Sequence, residues 1–494
     1  MEEKHKILLL MLIRYFVITA FVFSVLLPGC SPRKGTTDAE KFPSRPNIIY
    51  ILADDLGYGD LSMHGQQKFT TPNIDQLAKE GMLFTRHYAG STVCAPSRSS
   101  LMTGLHTGHT PIRGNLGVKP EGQTPLPGGF VTIAEVLKDQ GYVTGAFGKW
   151  GLGYPGSEGD PLNQGFDTFF GYICQSLAHR YYPEYLWHDS VKYFLEGNDL
   201  THTVTYAPDV IHQKVLAFVE DNSRHPFFLY YPLILPHAEL LVPEDSIFLK
   251  YLGQYPEEPY SGGAGADYGP GMRKTGYCSQ EYPRATFAAM VERIDMYVGD
   301  ILAKLEELDL TENTIVMFTS DNGPHREGGA DPEFFNSSGS LRGIKRDLYE
   351  GGIRVPFIVS WPGVIAAGTS TDHISAFWDL MPTLAELSGA QAPEGTDGIS
   401  FLPVLIGEGD QAKHAYLYWE FHEQDGKQAV LKGNWKAVRL GVRVNPDSIP
   451  ELYNLADDPG EEHNTAADHP DIVKEMTALM EAARTPSGLF NFGR

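Results

Sequence analysis

Short, nearly unbroken apolar runs alternate with helical periodicities along most of this chain. Residues 47–52 read Asn-Ile-Ile-Tyr-Ile-Leu, the pattern of a strand covered on both faces. Residues 142–147, 226–231, 314–319 and 357–361 carry similar runs and predict further strands. Residues 207–221 are amphipathic, and residues 284–308 place Phe287, Val291, Ile294, Val298, Leu302 and Leu305 at helical spacing. The latter predicts a long helix packed on a sheet. Thr71 and Pro72 mark a helix start that Gly81 closes. Thr132-Ile133-Ala134-Glu135 fits a capping box for a helix ending at Gly141. A further helix is expected over residues 376–387. Strands alternating with helices predict an α/β fold.

The pattern changes near residues 401–410. Runs at 416–421, 427–432 and 436–440 alternate and predict a small antiparallel sheet, closed by a helix at 472–483. We therefore expect a large domain over residues 45–405 and a small α+β subdomain over 406–494. Residues 261–268 are glycine-rich and read as a mobile surface loop. Residues 166–186 are dense in aromatics and include Gln175, His179, Arg180, Tyr181 and Tyr182. Aromatic faces beside His and Arg suit sugar rings and their anions, and core packing explains the same pattern. No internal repeat appears.

The chain begins with a different kind of run. Lys4, Lys6 and Arg14 form a basic start, and residues 15–27 are apolar but for Thr19 and Ser24. That is too short to span a bilayer comfortably. It ends in Leu27-Pro28-Gly29-Cys30, which resembles a bacterial lipoprotein box. Residues 1–30 are read as a lipoprotein signal segment, with Cys30 as lipid-bearing terminus and 31–44 as tether. An ordinary secretory signal is the alternative. Either implies export, and the lipoprotein reading places the protein in the periplasm or on the outer membrane, its only membrane contact being the Cys30 anchor.

Composition narrows the partners. With 39 Lys and Arg against 62 Asp and Glu, the formal charge is −23, which gives no overall attraction for nucleic acid. An enzyme of this charge acting on an anion needs locally concentrated cations or a metal. At 42% hydrophobic residues the chain is globular.

Candidate chemistry collects at strand ends, where ligands of open α/β sheets bind. The 47–52 run leads into Asp54 and Asp55, a pair that reads as a metal site or as two solvated turn aspartates. The 314–319 run ends in Asp321 and Asn322. Together these four supply oxygen ligands from two strand ends, a set that selects Ca²⁺, or Mg²⁺ in second place, over zinc. Lys149, flanked by Gly148 and Gly151, ends the 142–147 run and suits an anion contact. His237 follows the 226–231 run. His106 and His109 lie in a polar loop that suits a pocket rim or plain loop packing. In the stretch 94–104, Pro96 suits a helix's first turn and Gly104 the residue past its end. Cys94 is then expected two residues ahead of the helix, facing its free N–H groups, with Arg98 one turn on and pointing back. Cys174 and Cys278 are expected as unpaired buried thiols, with pairing an open alternative.

Cys94-Ala95-Pro96-Ser97-Arg98 matches the C-x-P-S-R signature of the type I sulfatases. The resemblance extends over roughly residues 46–483 through Gly148-Lys149-Trp150, Asp321-Asn322, the block from Leu341 to Pro356 that contains Lys345, and Glu451-Leu452-Tyr453-Asn454. It implies the alkaline phosphatase-like fold, a mixed sheet between helices. It further implies hydrolysis of sulfate monoesters, here expected on sulfated carbohydrate. Cys94 would be oxidised to formylglycine by a formylglycine-generating or anaerobic sulfatase-maturing enzyme, and one hydroxyl of its hydrate, bound to the metal so that residue 94 joins the ligand set, would attack sulfur. Arg98, Lys149 and Lys345 would stabilise the sulfate charge, and His237, with Lys345, would protonate the departing alkoxide. His179, Arg180, His325 and Arg346 are the expected substrate contacts. One departure stands out: Gly151 occupies the place of a family histidine. His179 is a candidate substitute base, with substrate contact or packing as its alternative, and His106, His109 and His325 follow. The competing functional readings are a phosphoesterase of the same superfamily and a non-catalytic lipoprotein that binds sulfated glycans.

Overall fold

The computed structural model describes residues 45–273 and 276–493. The expected signal segment, tether and Cys30 lie outside the described residues. Eleven strands form the main sheet: β1 (Asn47–Ala53), β2 (Met82–Tyr88), β3 (Val143–Lys149), β4 (Thr168–Tyr172), β5 (Tyr185–His188), β6 (Val191–Phe194), β7 (Phe227–Pro232), β8 (Thr314–Ser320), β9 (Arg354–Ser360), β10 (Thr369–Thr371) and β11 (Ser375–Ala376). Their order is β10-β2-β9-β8-β1-β7-β3-β4-β5-β6, with β11 also paired to β2. Only β5 and β9 run against the others, so the sheet is mixed.

Strand β1 is buried at every position, as a central strand with neighbours on both sides must be. Its register sets the site: Leu52 lies opposite Pro232 and Ala53 opposite Ser320. The three central strands therefore end level, and the residues that follow them emerge side by side. Two groups of helices flank the sheet. In one, α1 (Pro72–Lys79), α4 (Ala207–Asp221) and α5 (Pro283–Glu307) pack together; in the other, α2 (Cys94–Thr103), α3 (Ile133–Asp139) and α6 (Leu380–Ser388) do. The capping box forms as read: Thr132 Oγ1 accepts from the Glu135 N–H at 3.2 Å, and the Glu135 carboxylate accepts from the Thr132 N–H at 2.8 Å. The helix expected over 376–387 starts late, at Leu380, after a 3-10 turn at Phe377–Asp379.

Two expectations need correction. Cys94 is not two residues ahead of its helix; it is the first helical residue, behind an extended Val93. Pro96 is the third, still inside the turn whose N–H groups have no intrahelical partner, so proline there costs nothing. The loop 261–268 is not free: Ala266 is fully buried, and its carbonyl accepts from Arg180 Nη1 at 3.0 Å.

Strands β12 (Leu417–Phe421), β13 (Lys427–Lys432), β14 (Trp435–Leu440) and β15 (Glu451–Asn454) form a separate antiparallel sheet. Alternation sends Leu417, Trp419 and Phe421 into a core shared with Tyr88, Val93 and Trp378. It sends Tyr418, Val430 and Ala437 against Met476 and Met480 of α7 (Pro470–Ala482). Both faces of this sheet are therefore covered, one by each core. Cys94, Cys174 and Cys278 are unpaired and buried.

Candidate active site

The level strand ends bring Asp54 and Asp55 from β1 beside Asp321 and Asn322 from β8, all fully buried. Asp55 takes a left-handed backbone, φ 66°, a conformation aspartate tolerates better than most residues. Its N–H donates to Asp321 Oδ1 at 3.1 Å, and Asn322 Nδ2 donates to Asp55 Oδ1 at 2.7 Å. Asn322 Oδ1 has no hydrogen-bond partner among the described residues. Burial and the neighbouring Asp54 push the Asp321 carboxyl up to about 6. A buried orphan oxygen among three carboxylates is what a hard divalent cation satisfies, so these four residues fit one.

Cations already crowd the same place. Lys149 Nζ donates to Asp54 Oδ2 at 2.6 Å and lies 3.4 Å from Cys94 Sγ. Cys94 Sγ in turn lies 3.3 Å from Asp54 Oδ1. Burial, then the Asp54 charge, holds the thiol pKa well above its usual value, so the unmodified side chain is a neutral thiol and a weak nucleophile. Burial alone would raise the Asp54 carboxyl, but Lys149, His237, Arg98 and Lys345 together hold it low. Arg98 is committed to structure: Nε and Nη2 donate to Asp321 Oδ2 at 3.1 and 2.8 Å, and Nη1 donates to the Lys149 carbonyl. It ties β8 to the end of β3.

On the far side of Asp55, Lys345 Nζ donates to Asp55 Oδ2 at 2.6 Å and to His237 Nε2 at 2.9 Å. The His237 ring is sandwiched, with His179 stacked at 4.8 Å and His325 at 5.3 Å.

The expected substrate contacts divide. His179 is partly exposed, at the open side of His237. Arg346 is partly exposed and pairs with Glu327. His325 is sealed behind His237: Nε2 faces the Pro236 carbonyl at 3.1 Å and Nδ1 faces Glu327 Oε2 at 3.1 Å. Arg180 is buried too, its guanidinium shared among Glu239 and the carbonyls of Ala266 and Gly276. Neither presents a free donor to a ligand. His106 and His109 converge on Asp397 rather than on the site. His106 Nδ1 accepts from the Gly108 N–H at 3.1 Å, so the neutral ring's proton sits on Nε2, turned toward that carboxylate.

Gly151 has φ 79°, and a Cβ there would sit 2.3 Å from Gln175 Nε2. The side chain filling the space beside Gly151 is therefore Gln175, not His179, and its Nε2 has no partner among the described residues. Sequence reasoning missed Glu327, which ties His325 to Arg346. It also missed Glu239 and Tyr277, whose only signals were an acid two residues after a strand-end histidine and an aromatic residue beyond the glycine-rich stretch.

Comparison with known proteins agrees with this geometry. The chain matches the Sulfatase family model over residues 46–390 and the N-sulphoglucosamine sulphohydrolase C-terminal model over 344–485. It is 33% identical to human arylsulfatase A, covering 88% of this chain and 87% of that protein. It is 28% identical to an N-acetylgalactosamine-6-O-sulfatase of Bacteroides thetaiotaomicron, covering 93% and 97%. The crystal structure of Ps i-CgsB in complex with k-i-k-neocarrahexaose superposes with a TM-score of 0.72 at 28% identity, covering 89% of this chain and 92% of that one.

Proposed function

The chain belongs to the sulfatase family and is a sulfuric ester hydrolase; from that premise we propose that it cleaves sulfate monoesters of carbohydrate, with residue 94 converted from cysteine to formylglycine. The carrying observation is that Lys149 and Asp54 converge on Cys94 on one side, while Lys345 and His237 are hydrogen-bonded to each other on the other. A maturation enzyme, formylglycine-generating or anaerobic, is the partner this reading requires. Export as a lipoprotein tethered through Cys30 is the localisation that the leader composition supports.

Asp54, Asp55, Asp321 and Asn322 would hold one Ca²⁺, with Mg²⁺ second, which when bound polarises the nucleophile and the sulfate oxygens. The hydrated aldehyde of residue 94 would supply one hydroxyl for attack and a second through which sulfate is released. The chain's own residues do the rest. Lys149, fixed by Asp54, places an ammonium against the oxygens that gain charge as sulfur is attacked. Arg98 keeps Asp321 and the end of β3 in register with it. Lys345 carries the proton on the leaving-group side and His237 accepts from it, so the pair can deliver a proton to the departing alkoxide.

Carbohydrate as the leaving group is supported by the relatives' names and by the partly exposed aromatic and imidazole groups beside His237. The deciding experiment incubates matured enzyme with regiochemically defined sulfated mono- and disaccharides and with matched phosphate monoesters. Sulfate release from at least one sugar, faster than phosphate release from its analogue, is expected. Faster phosphate release would make it a phosphoesterase, and binding without turnover would make it a glycan-binding protein.

A further inference from the structure

The leaving-group side of the site has one open wall. One face of His237 is closed by the buried His325, and the other by the partly exposed His179. Tyr277 completes that second face, its ring centroid 5.3 Å from His179 and 6.1 Å from His237. A Cβ placed on Gly328 would lie 3.6 Å from the Tyr277 Cβ, so Tyr277 bridges from His179 toward the Glu327 turn. Burial raises the pKa of its hydroxyl, and Lys345, Glu327, Asp55 and Arg346 are the charges acting on it. His179 and Tyr277 therefore form the wall beside the Lys345–His237 pair.

The same buried guanidinium sets both residues. Arg180 directly follows His179, and its Nη2 donates to the carbonyl of Gly276, directly before Tyr277, at 3.1 Å. Nη1 donates to the Ala266 carbonyl and to Glu239. Glu239 in turn accepts from the Tyr268 hydroxyl at 2.6 Å and the Tyr181 N–H at 3.2 Å. Residues 261–268 read as a surface loop in the sequence, yet Ala266 and Tyr268 are both fastened to an ion pair that is 2% and 0% exposed, as is Gly276 further on.

We propose that Tyr277 is a specificity-determining residue, its ring packing on the sugar that leaves with the ester oxygen, and that Arg180 is the positioning residue that holds Tyr277 and His179 as one wall. The inference rests on the sulfatase reading only for the identity of the leaving group. A pyranose offers an apolar C–H face to an aromatic ring, which accounts for tyrosine rather than another cation beside Lys345 and Arg346.

The test separates this from the sulfatase reading by measuring binding in an inert background. Calorimetric titrations use Cys94→Ala protein with N-acetylgalactosamine 6-sulfate, a sulfated carrageenan hexasaccharide and inorganic sulfate. Adding Tyr277→Ala is expected to weaken the better-bound saccharide by about tenfold, while Tyr277→Phe stays within about threefold and sulfate affinity is held. Arg180→Lys keeps the charge but loses the fork, and should weaken the saccharide in the same sense without weakening sulfate. Unchanged saccharide affinity in Tyr277→Ala, or parallel loss of saccharide and sulfate, would overturn the proposal. If matured wild-type enzyme turns over no sulfate ester yet the differential binding holds, the sulfatase reading fails and the Tyr277 assignment stands.

Discussion

Lys345 Nζ lies 2.9 Å from His237 Nε2, so the imidazole nitrogen is the acceptor and the lysine holds the proton. Burial and that ammonium keep the His237 pKa well below its usual value. Burial opposes charge on Lys345 as well, but Asp55 outweighs it and raises the pKa. The pair is therefore an acid whose proton starts on the lysine. His237→Ala is expected to lower kcat on a sugar sulfate by about 10²–10⁴. On 4-nitrophenyl sulfate, whose leaving group needs little protonation, the loss should be clearly smaller. Equal losses on both substrates would remove His237 from leaving-group protonation.

Residue 94 should be modified in active enzyme, because its thiol is held neutral by burial and Asp54. Mass analysis of the tryptic peptide spanning residues 87–98 should show the lighter aldehyde form. Full activity in a preparation that carries only the thiol would refute the assignment.

Removal of divalent cations should abolish turnover, with Ca²⁺ restoring it better than Mg²⁺. Asp321→Ala removes a carboxylate shared by Asp55 and Arg98, and should cost more than about 10²-fold in kcat/KM together with the bound metal. Elemental analysis of both proteins checks this. One metal per chain in the inactive variant would place the ion elsewhere.

Gly151→Ala should destabilise the fold by about 1–3 kcal/mol, since φ is 79° and the new Cβ meets Gln175. Coupling the change with Gln175→Ala should recover part of that loss, leaving the cost of the backbone. Denaturant midpoints of the two single variants and the double variant measure the coupling. Strict additivity would mean that Gln175 does not fill this space.

His87 is buried between Phe357 and Ser375, and burial, then His373, lowers its pKa to about 3. The unfolded chain binds this proton below about pH 6.5, but the folded protein does not until about pH 3. Stability is therefore full above pH 6.5 and falls as the pH drops. This one residue should cost about 2 kcal/mol between pH 8 and 5. His87→Phe gives up the 2.8 Å contact with Ser375 Oγ but should flatten this part of the decline, as read from denaturant midpoints at the two pH values.

The elements were legible because burial writes its period into the residues it buries. β1, α4, α5 and the Thr132 capping box follow from apolar runs, 3.6-residue spacing and terminal side chains, all local quantities. The ends of β1, β3, β7 and β8 were legible as chemistry for a related reason. A strand end at an open sheet edge is where a charged side chain can face a ligand, so Asp54, Lys149, His237 and Asp321 announced themselves.

What each of those side chains faces was settled only by the tertiary structure. Arg180 and His325 carry the same functional groups as true ligand contacts, and nothing local distinguishes them. Arg180 is spent on Glu239 and on Gly276, 59 and 96 positions away, and His325 on Pro236, 89 positions away. The sequence shows that Gly151 lacks a side chain; only packing shows Gln175 in its place. Tyr277 lies in a loop with no period to read, and becomes part of the site through one buried guanidinium. Sequence determines which groups are available and on which kind of element, because those depend on neighbours along the chain. Exposure and pairing depend on neighbours in space, and the fold alone decides those.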